Sequence, residues 1–235
     1  MPEPIEDPFL SIVIPVFNER EWVEELVRRV QEEEFRMELI LIDDGSTDGT
    51  RDILPRIQQA YDNVRVLMHE RNQGKGAALR TGFDAAQGDI IVIQDADLEY
   101  DPRDYGKLLE PIIDGRADVV YGSRFLGGPH RVLNFHHYIA NQGLTFLSNA
   151  LTNLNLTDME TCYKIFRREV LDGMRLTSDR FGFEPEFTAR VAQRGLKVYE
   201  VPISYSGRDY DEGKKITWKD GVSALWIILK SRFDG

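Results

Sequence analysis

Apolar residues fall into two rhythms along this chain. Short unbroken runs at 9–16 (FLSIVIPV), 39–42 (LILI), 64–68, 89–93 and 117–121 predict buried strands. Between them, over 21–34, 48–61, 74–86 and 102–114, apolar positions recur at helical spacing and predict helices. Strands alternating with helices imply an α/β class with a largely parallel sheet and right-handed crossovers. Runs that do not alternate with polar residues imply that helices cover both faces. Ligands of such sheets bind beyond the carboxyl ends of the strands. Asn18-Glu19, Asp43-Asp44, 72–76 and 95–99 all follow strand ends, so one edge is expected to gather them.

After position 123 the rhythm is less regular. A Gly-Gly-Pro turn at 127–129 precedes a helix over 137–152, a second α/β stretch over 160–206 and a closing helix over 217–233. That last helix places Trp218, Val222, Leu225, Trp226, Leu229 and Phe233 at helical spacing, with Lys219, Lys230 and Arg232 alongside. Such an amphipathic stripe suits a membrane interface, a membrane-spanning partner or the protein's own core. Residues 1–8 (MPEPIEDP) read as an acidic, Pro-rich tail.

The length of 235 residues fits one domain, and 42% hydrophobic content suits a packed globule. A net charge of −11 argues against nucleic acid, which a basic surface must neutralise. Cys162 is the only cysteine, which excludes an intrachain disulfide and a Cys-rich zinc site. With no cleavable signal pattern in 1–8, the expected setting is reducing and cytoplasmic. No stretch approaches the roughly 20 apolar residues that span a bilayer. Membrane contact is therefore expected to be peripheral, or through a partner.

Asp95-Ala96-Asp97 follows a buried strand directly. Two carboxylates one residue apart at a sheet mouth suit Mg²⁺ or Mn²⁺, which takes one or two protein carboxylates and completes its shell with phosphate and water; a solvated turn capping the next helix is the plainer alternative. Asp43 and Asp44 can accept from ribose hydroxyls or a base N–H, while Ser46, Thr47 or Asp48 could cap the following helix. Over 72–78 (NQGKGAA) the Gly-Lys pair lacks the spacing and the Ser/Thr of a phosphate loop. A Gly-rich helix entry remains, in which Asn72, Gly74 and Lys75 can meet a diphosphate or ribose, or simply turn the chain.

SIVIPVFNE, LIDDGSTDGT, NQGKGAALRTGF and QDADLEYDP, in this order and spacing, resemble the nucleotide-sugar domain of family-2 glycosyltransferases of the GT-A (Rossmann-like) fold. GSRF at 122–125, TDMETCYKIF at 157–166 and GRDYDEGKKITWKDG at 207–221 are similar to polyprenyl-phosphate mannose and glucose synthases. The resemblance implies a glycosyltransferase domain over 9–206, with a nucleotide-sugar half (9–124) and an acceptor half (125–206). A basic loop and amphipathic helix follow over 207–235. It implies that Pro15, Phe17 and Glu19 line the base and ribose pocket beside Asp43 and Asp44, with Phe17 standing where many relatives carry Tyr. Asp95 and Asp97 match metal and donor residues, with Ala96 between them on the donor side and Glu99 as a third carboxylate for the ion. Arg124 matches an arginine near donor and acceptor phosphates. Arg208, Lys214 and Lys215 match a basic loop that closes over the site, and Asp158 matches the acceptor-side motif, as a base or an orienting carboxylate.

The implied reaction inverts the anomeric carbon of a hexose taken from UDP-glucose or GDP-mannose. A phosphate monoester, with a second pKa near ~6, is already ionised and needs no base. Cations must offset its repulsion from the donor, and Arg124, Arg131, Arg208, Lys214 and Lys215 are the candidates, with ordinary surface charge as the plain alternative. A hydroxyl acceptor of a polysaccharide, lipid or protein would need a base, with Asp158 first in line. A non-catalytic nucleotide-sugar-binding module is the second rival, and a nucleotidyltransferase a weaker third. His69, His130, His136, His137 and Cys162 are read as non-catalytic.

Overall fold

The structure is a computed structural model that describes residues 2–127, 130–132, 135–208 and 218–231, with side chains in the last segment from Gly221 onward. Seven strands form one sheet: β1 (Leu10–Val16), β2 (Met37–Asp43), β3 (Val64–Met68), β4 (Ile90–Ile93), β5 (Val119–Ser123), β6 (Lys164–Arg167) and β7 (Val198–Pro202). Their spatial order is β3-β2-β1-β4-β6-β5-β7. β6 runs antiparallel to both neighbours, and every other pairing is parallel. The expected α/β sheet is thus present, with one reversed strand that strand periodicity alone does not disclose.

Helices α1 (Val23–Gln31), α2 (Thr50–Ala60), α3 (Lys75–Ala85) and α4 (Tyr105–Ile113) connect the strands of the first half. α1 shows why: Val23, Leu26, Val27 and Val30 are buried at helical spacing, with Glu24 and Glu25 in the first turn and Arg28 and Arg29 in the last, as the helix dipole favours. α3 lies so close to the sheet that a Cβ on Gly82 would come 2.4 Å from Val13 Cγ1. The predicted helix over 102–114 opens as a 3-10 turn, Pro102–Asp104, before α4. The strand expected at 117–121 begins at Val119, because the Ala117 amide closes the end of α4 on the Pro111 carbonyl (2.8 Å).

α5 (Phe135–Thr152), α6 (Phe183–Gln193) and α7 (Trp218–Ser231) pack on one another in the second half. α7 turns small and β-branched residues inward: Ala224 and Ile228 are buried, and Ile227 lies against Gly182, where a Cβ would meet its Cδ1 at 1.9 Å. Val222, Leu225, Trp226 and Leu229, four of the predicted stripe, face outward, with Trp226 67% exposed. Among the described residues no helix is long and apolar enough to cross a membrane.

Candidate active site

The carboxyl ends of the parallel strands converge on one edge, and a cleft of about 990 Å³ opens there. β6 runs the other way, so the residues before it, not after it, reach this edge. The cleft accordingly draws Glu160 and Cys162 from the run into β6, beside the turns that follow β1 and β4.

Pro15, Phe17 and Glu19 form one wall, where the turn after β1 is held tightly. Asn18 sits in the left-handed region (φ 53°), its amide donating to Ser46 Oγ (2.9 Å) while its Oδ1 accepts from Thr47 N (2.8 Å). Asp44 reaches the cleft, but its oxygens are engaged: Oδ1 meets His69 Nδ1 (2.7 Å) and accepts from Gln73 N (2.9 Å), and Oδ2 accepts from Gly74 N (2.7 Å). It therefore shapes the turn carrying Asn72, Gly74 and Lys75, all of which line the cleft. Asp43 is not brought to the wall. Its buried carboxylate accepts from the Gly45 and Ser46 amides and pairs with Arg51 Nε (3.1 Å). Gly74 has φ 102°, and a Cβ there would lie 2.3 Å from the Asp179 carbonyl oxygen, so only glycine fits where the two halves of the chain touch.

Asp95, Ala96, Asp97 and Glu99 follow β4. Their turn places Leu98 at φ 60°, a strained conformation for leucine, while the Glu99 amide donates to Asp97 Oδ1 (3.2 Å). Lys75 Nζ lies 2.9 Å from Asp95 Oδ1 and 3.1 Å from Glu184 Oε1. Burial alone would lower the lysine, but Asp95 and Glu184 outweigh it and hold the ammonium well above its ordinary range. Arg208 crosses from the other side, donating to Asp97 Oδ2 (2.8 Å) and to Glu19 Oε2 and Oε1 (3.2 and 3.3 Å), while its amide reaches Glu99 Oε1 (2.7 Å). Burial pushes the Asp97 carboxyl up to about 7, with Glu99 and Asp95 adding to the push and Arg208 opposing it.

Glu19, Asp95, Asp97 and Glu99 thus face Lys75 and Arg208 with more negative than positive charge, a hard-oxygen donor set suited to a divalent cation. Among the described residues no three such groups converge as a ready metal cluster, so Asp95 and Asp97 could hold an ion with ligand oxygens completing its shell.

Arg124 also lines the cleft. Its Nε and Nη2 pair with Asp158 Oδ2 and Oδ1 (2.6 and 2.7 Å), and its amide donates to the same carboxylate (3.1 Å). Asp158 is fully buried and absent from the cleft wall, with both oxygens committed to Arg124. This is orienting geometry. Arg131 lies at the mouth, its Nη1 donating to the Gly207 carbonyl (3.2 Å), and Lys214 and Lys215 lie outside the described residues. His69 serves Asp44 and Thr81, and burial raises the Cys162 thiol well above its ordinary range, which leaves it unreactive.

Three features escape a strand-end search. Glu184 opens α6, and Glu186 two residues on faces about 200° away around the helix, binding the amides of Thr177 and Ser178 (2.9 and 2.7 Å) while Glu184 faces the cleft. Glu160 is pushed up to about 8 by burial, then by Glu184, with Lys164 opposing. The last is an apolar wall of Val132, Phe135, Tyr138 and Leu144, of which Val132 and Phe135 are 88% and 68% exposed. FGFEPEF and the apolar positions 132, 135, 138 and 144, running into α5, are the available signals.

Known proteins agree with this architecture. The chain is 31% identical over 211 residues to the polyprenol monophosphomannose synthase of Mycolicibacterium smegmatis, covering 86% of this chain and 79% of that one. It is 30% identical over 210 residues to the dolichol-phosphate mannosyltransferase of Pyrococcus furiosus, covering 87% of this chain and 58% of the other. The glucosyl-3-phosphoglycerate synthase of Mycobacterium tuberculosis, solved with Mn²⁺, UDP and glucosyl-3-phosphoglycerate, shares the fold at a TM-score of 0.74. That match has 22% identity and covers 96% of this chain and 80% of that one. The profile described as glycosyl transferase family 2 matches residues 11–175, a span that runs through β6 and takes in the acidic turn, Arg124 and Glu160. On that span, the chain belongs to glycosyl transferase family 2.

Proposed function

We propose that this glycosyltransferase moves a hexose from UDP-glucose or GDP-mannose to a polyprenyl phosphate. The observation that carries the reading is a single cleft that joins carboxylates, Lys75 and Arg208 to Arg124, one tyrosine away through Tyr205, and to an apolar wall reached from Arg124 through Phe125 and Tyr138. A lipid phosphate matches Arg124 with its phosphate and the adjoining apolar wall with its chain. Two mannosyl-transferring relatives named for polyprenol and dolichol phosphate support the same acceptor class.

In the reaction an acceptor phosphate oxygen forms a bond to the anomeric carbon as the bond to the donor's β-phosphate oxygen breaks. The nucleoside diphosphate keeps the electron pair, and configuration inverts. Asp95 and Asp97, with Glu99 nearby, would hold Mg²⁺ or Mn²⁺, which when bound would supply charge neutralisation on the leaving diphosphate. Arg124, fixed by Asp158, and Arg208 offset the repulsion between the two phosphates. No protein base is needed, because the acceptor is ionised at neutral pH. Asp158, with both oxygens on Arg124, acts by orienting. Pro15, Phe17, Glu19 and Asn72 frame the nucleoside, and the apolar mouth works peripherally at a membrane surface.

The test incubates the protein with Mn²⁺, labelled UDP- and GDP-sugars and a polyprenyl phosphate. The expected result is label in an organic-soluble product for one donor. Release of nucleoside diphosphate with label only on a hydroxyl acceptor would overturn the acceptor assignment.

A further inference from the structure

Tyr205, just beyond β7, joins two parts of the cleft wall. Its hydroxyl donates to Glu99 Oε2 (2.8 Å), in the acidic turn after β4, and the Arg124 guanidinium carbon lies 5.2 Å from the centre of its ring. The backbone around it is held on both flanks. The Ser206 amide donates to the Glu99 carbonyl (2.9 Å), and the Tyr205 carbonyl accepts from the Arg131 amide (2.9 Å). The Tyr205 ring also meets Tyr100 edge-on, with centroids 5.3 Å apart.

Packing alone does not account for these contacts. A phenylalanine would fill the same space and meet the same rings, with no hydroxyl to satisfy. Here the hydroxyl goes to a carboxylate in the cleft wall, and a hydrogen bond to a charged acceptor is stronger than a neutral one. A guanidinium is drawn to the electron-rich face of an aromatic ring. Bonds in series polarise one another, so the charge of Glu99, felt through the phenol, strengthens the ring's hold on Arg124. Drawing Glu99 toward a cation weakens both contacts together. Asp158 already fixes the orientation of the Arg124 fork (2.6 and 2.7 Å), so Tyr205 adds its distance from the acidic turn. We propose that Tyr205 is a positioning residue that couples Arg124 to the acidic turn, and so sets the acceptor phosphate in register with the donor diphosphate. This assignment rests on the proposed function and adds how its two substrate sites are tied together.

The test compares wild type, Tyr205→Phe, Tyr205→Leu, Glu99→Ala and the Glu99→Ala/Tyr205→Phe double variant, with thermal melts reporting folding. Calorimetry measures the binding of farnesyl phosphate with and without Mn²⁺ plus UDP or GDP, and initial rates of transfer give kcat and KM. In wild type the farnesyl phosphate affinity should differ at least about fivefold between the two conditions, the lower end of ordinary coupling between sites. Tyr205→Phe keeps the ring and loses only the bond to Glu99. It should shrink that ratio at least about threefold while each ligand alone binds within about threefold of wild type. Its kcat should fall at least about tenfold with KM nearly unchanged, as for a small misplacement of reacting groups. In the Glu99→Ala background the same change should alter kcat less than about twofold, because residues acting through one bond are not additive. Tyr205→Leu also removes the ring and should further weaken farnesyl phosphate alone. A Tyr205→Phe variant with wild-type coupling and kcat overturns the proposal, as does one whose losses persist in full without Glu99. A fall in kcat matched by a lower melting temperature and weaker binding of both ligands marks a structural role and also overturns it. Absence of coupling in wild type does so even if the variants fail to fold. Failure of the underlying reading looks different: wild type then binds neither nucleotide nor farnesyl phosphate, and both claims fall together.

Discussion

The edge built by β1 to β4 and the edge built by β5 to α7 solve different problems with different materials. In the first, strand residues such as Ile12, Ile14 and Leu41 are fully buried, and the carboxylates at strand ends are tied by nearby amides. In the second, Arg124 and Asp158 hold each other as a buried ion pair and Asp158's amide donates to Glu200 (3.0 Å), while large apolar side chains such as Phe135 (68% exposed) remain outside the core. A diphosphate is the same in every nucleoside-diphosphate sugar, so a stiff frame tied by backbone amides would suit it. An acceptor with a long apolar tail suits an open wall. Under the proposed function, the difference teaches that the two substrates would be met by rigidity on one side and by accessible apolar surface on the other.

Breaking the buried Arg124–Asp158 pair should have the largest effect. Arg124→Ala leaves the buried Asp158 carboxylate without its partner, and loss of one member of such a pair costs about 3–5 kcal/mol. Urea denaturation should show that loss, and transfer should fall with it. Asp97→Asn tests the first edge. It removes a charge from an already crowded acidic cluster, so folding should survive, yet transfer should drop by roughly 10²–10³, the scale of deleting one electrostatic contact to a reacting group. Steady-state rates alongside melts separate the two variants. If both lose stability equally, the contrast between the edges is wrong.

A smaller effect concerns pH. The Glu160 carboxyl sits at about 8 in the folded protein against an ordinary 4.5, so the folded state binds the extra proton. Its stabilising contribution is complete below about 4.5 and is lost as pH rises through about 8. Wild type should therefore lose at least about 1 kcal/mol between pH 5 and pH 8, and Glu160→Gln should flatten that slope in denaturant titrations. The smallest effect is expected at the outer face of α7. Trp226→Ser should change folding stability by less than about 0.5 kcal/mol, as for an ordinary surface site. A core change on the first edge, Ile14→Ala, should cost about 2–5 kcal/mol in the same assay. If the two changes cost the same, the distinction between a packed edge and an open one fails.

These contrasts also explain what could be read from sequence. The first edge was legible because fully buried parallel strands leave unbroken apolar runs and deliver polar clusters just after each one, as at Asp95 to Glu99. Even there, Asp43 was expected at a ligand and is instead enclosed by Gly45, Ser46 and Arg51, since two adjacent carboxylates carry no mark of which one faces in. The second edge was harder for a specific reason. A reversed strand puts its leading residues at the site, so Glu160 lies before β6, where a search after strand ends does not look. Glu184 is an ordinary acidic residue at a helix start until Lys75 is seen beside it. The stripe on α7 was found, but its direction was set by Ala224, Ile227 and Ile228 packing inward against partners such as Gly182.

The reversed strand has a consequence for how such a chain can be recombined. β5 precedes residue 124 in sequence, yet it bonds only to β6 and β7, and β4 meets β6 on its outer side through Ile90 opposite Arg167 and Val92 opposite Ile165. Cutting the gene at 124 would leave one unzipped seam on β4 and another on β5. Grafting a relative's segment after 124 therefore means transplanting a central plank of the sheet in matching register. Under the proposed function, acceptor choice would be inherited with the framework itself, and a loop swap would be too small a unit to carry it.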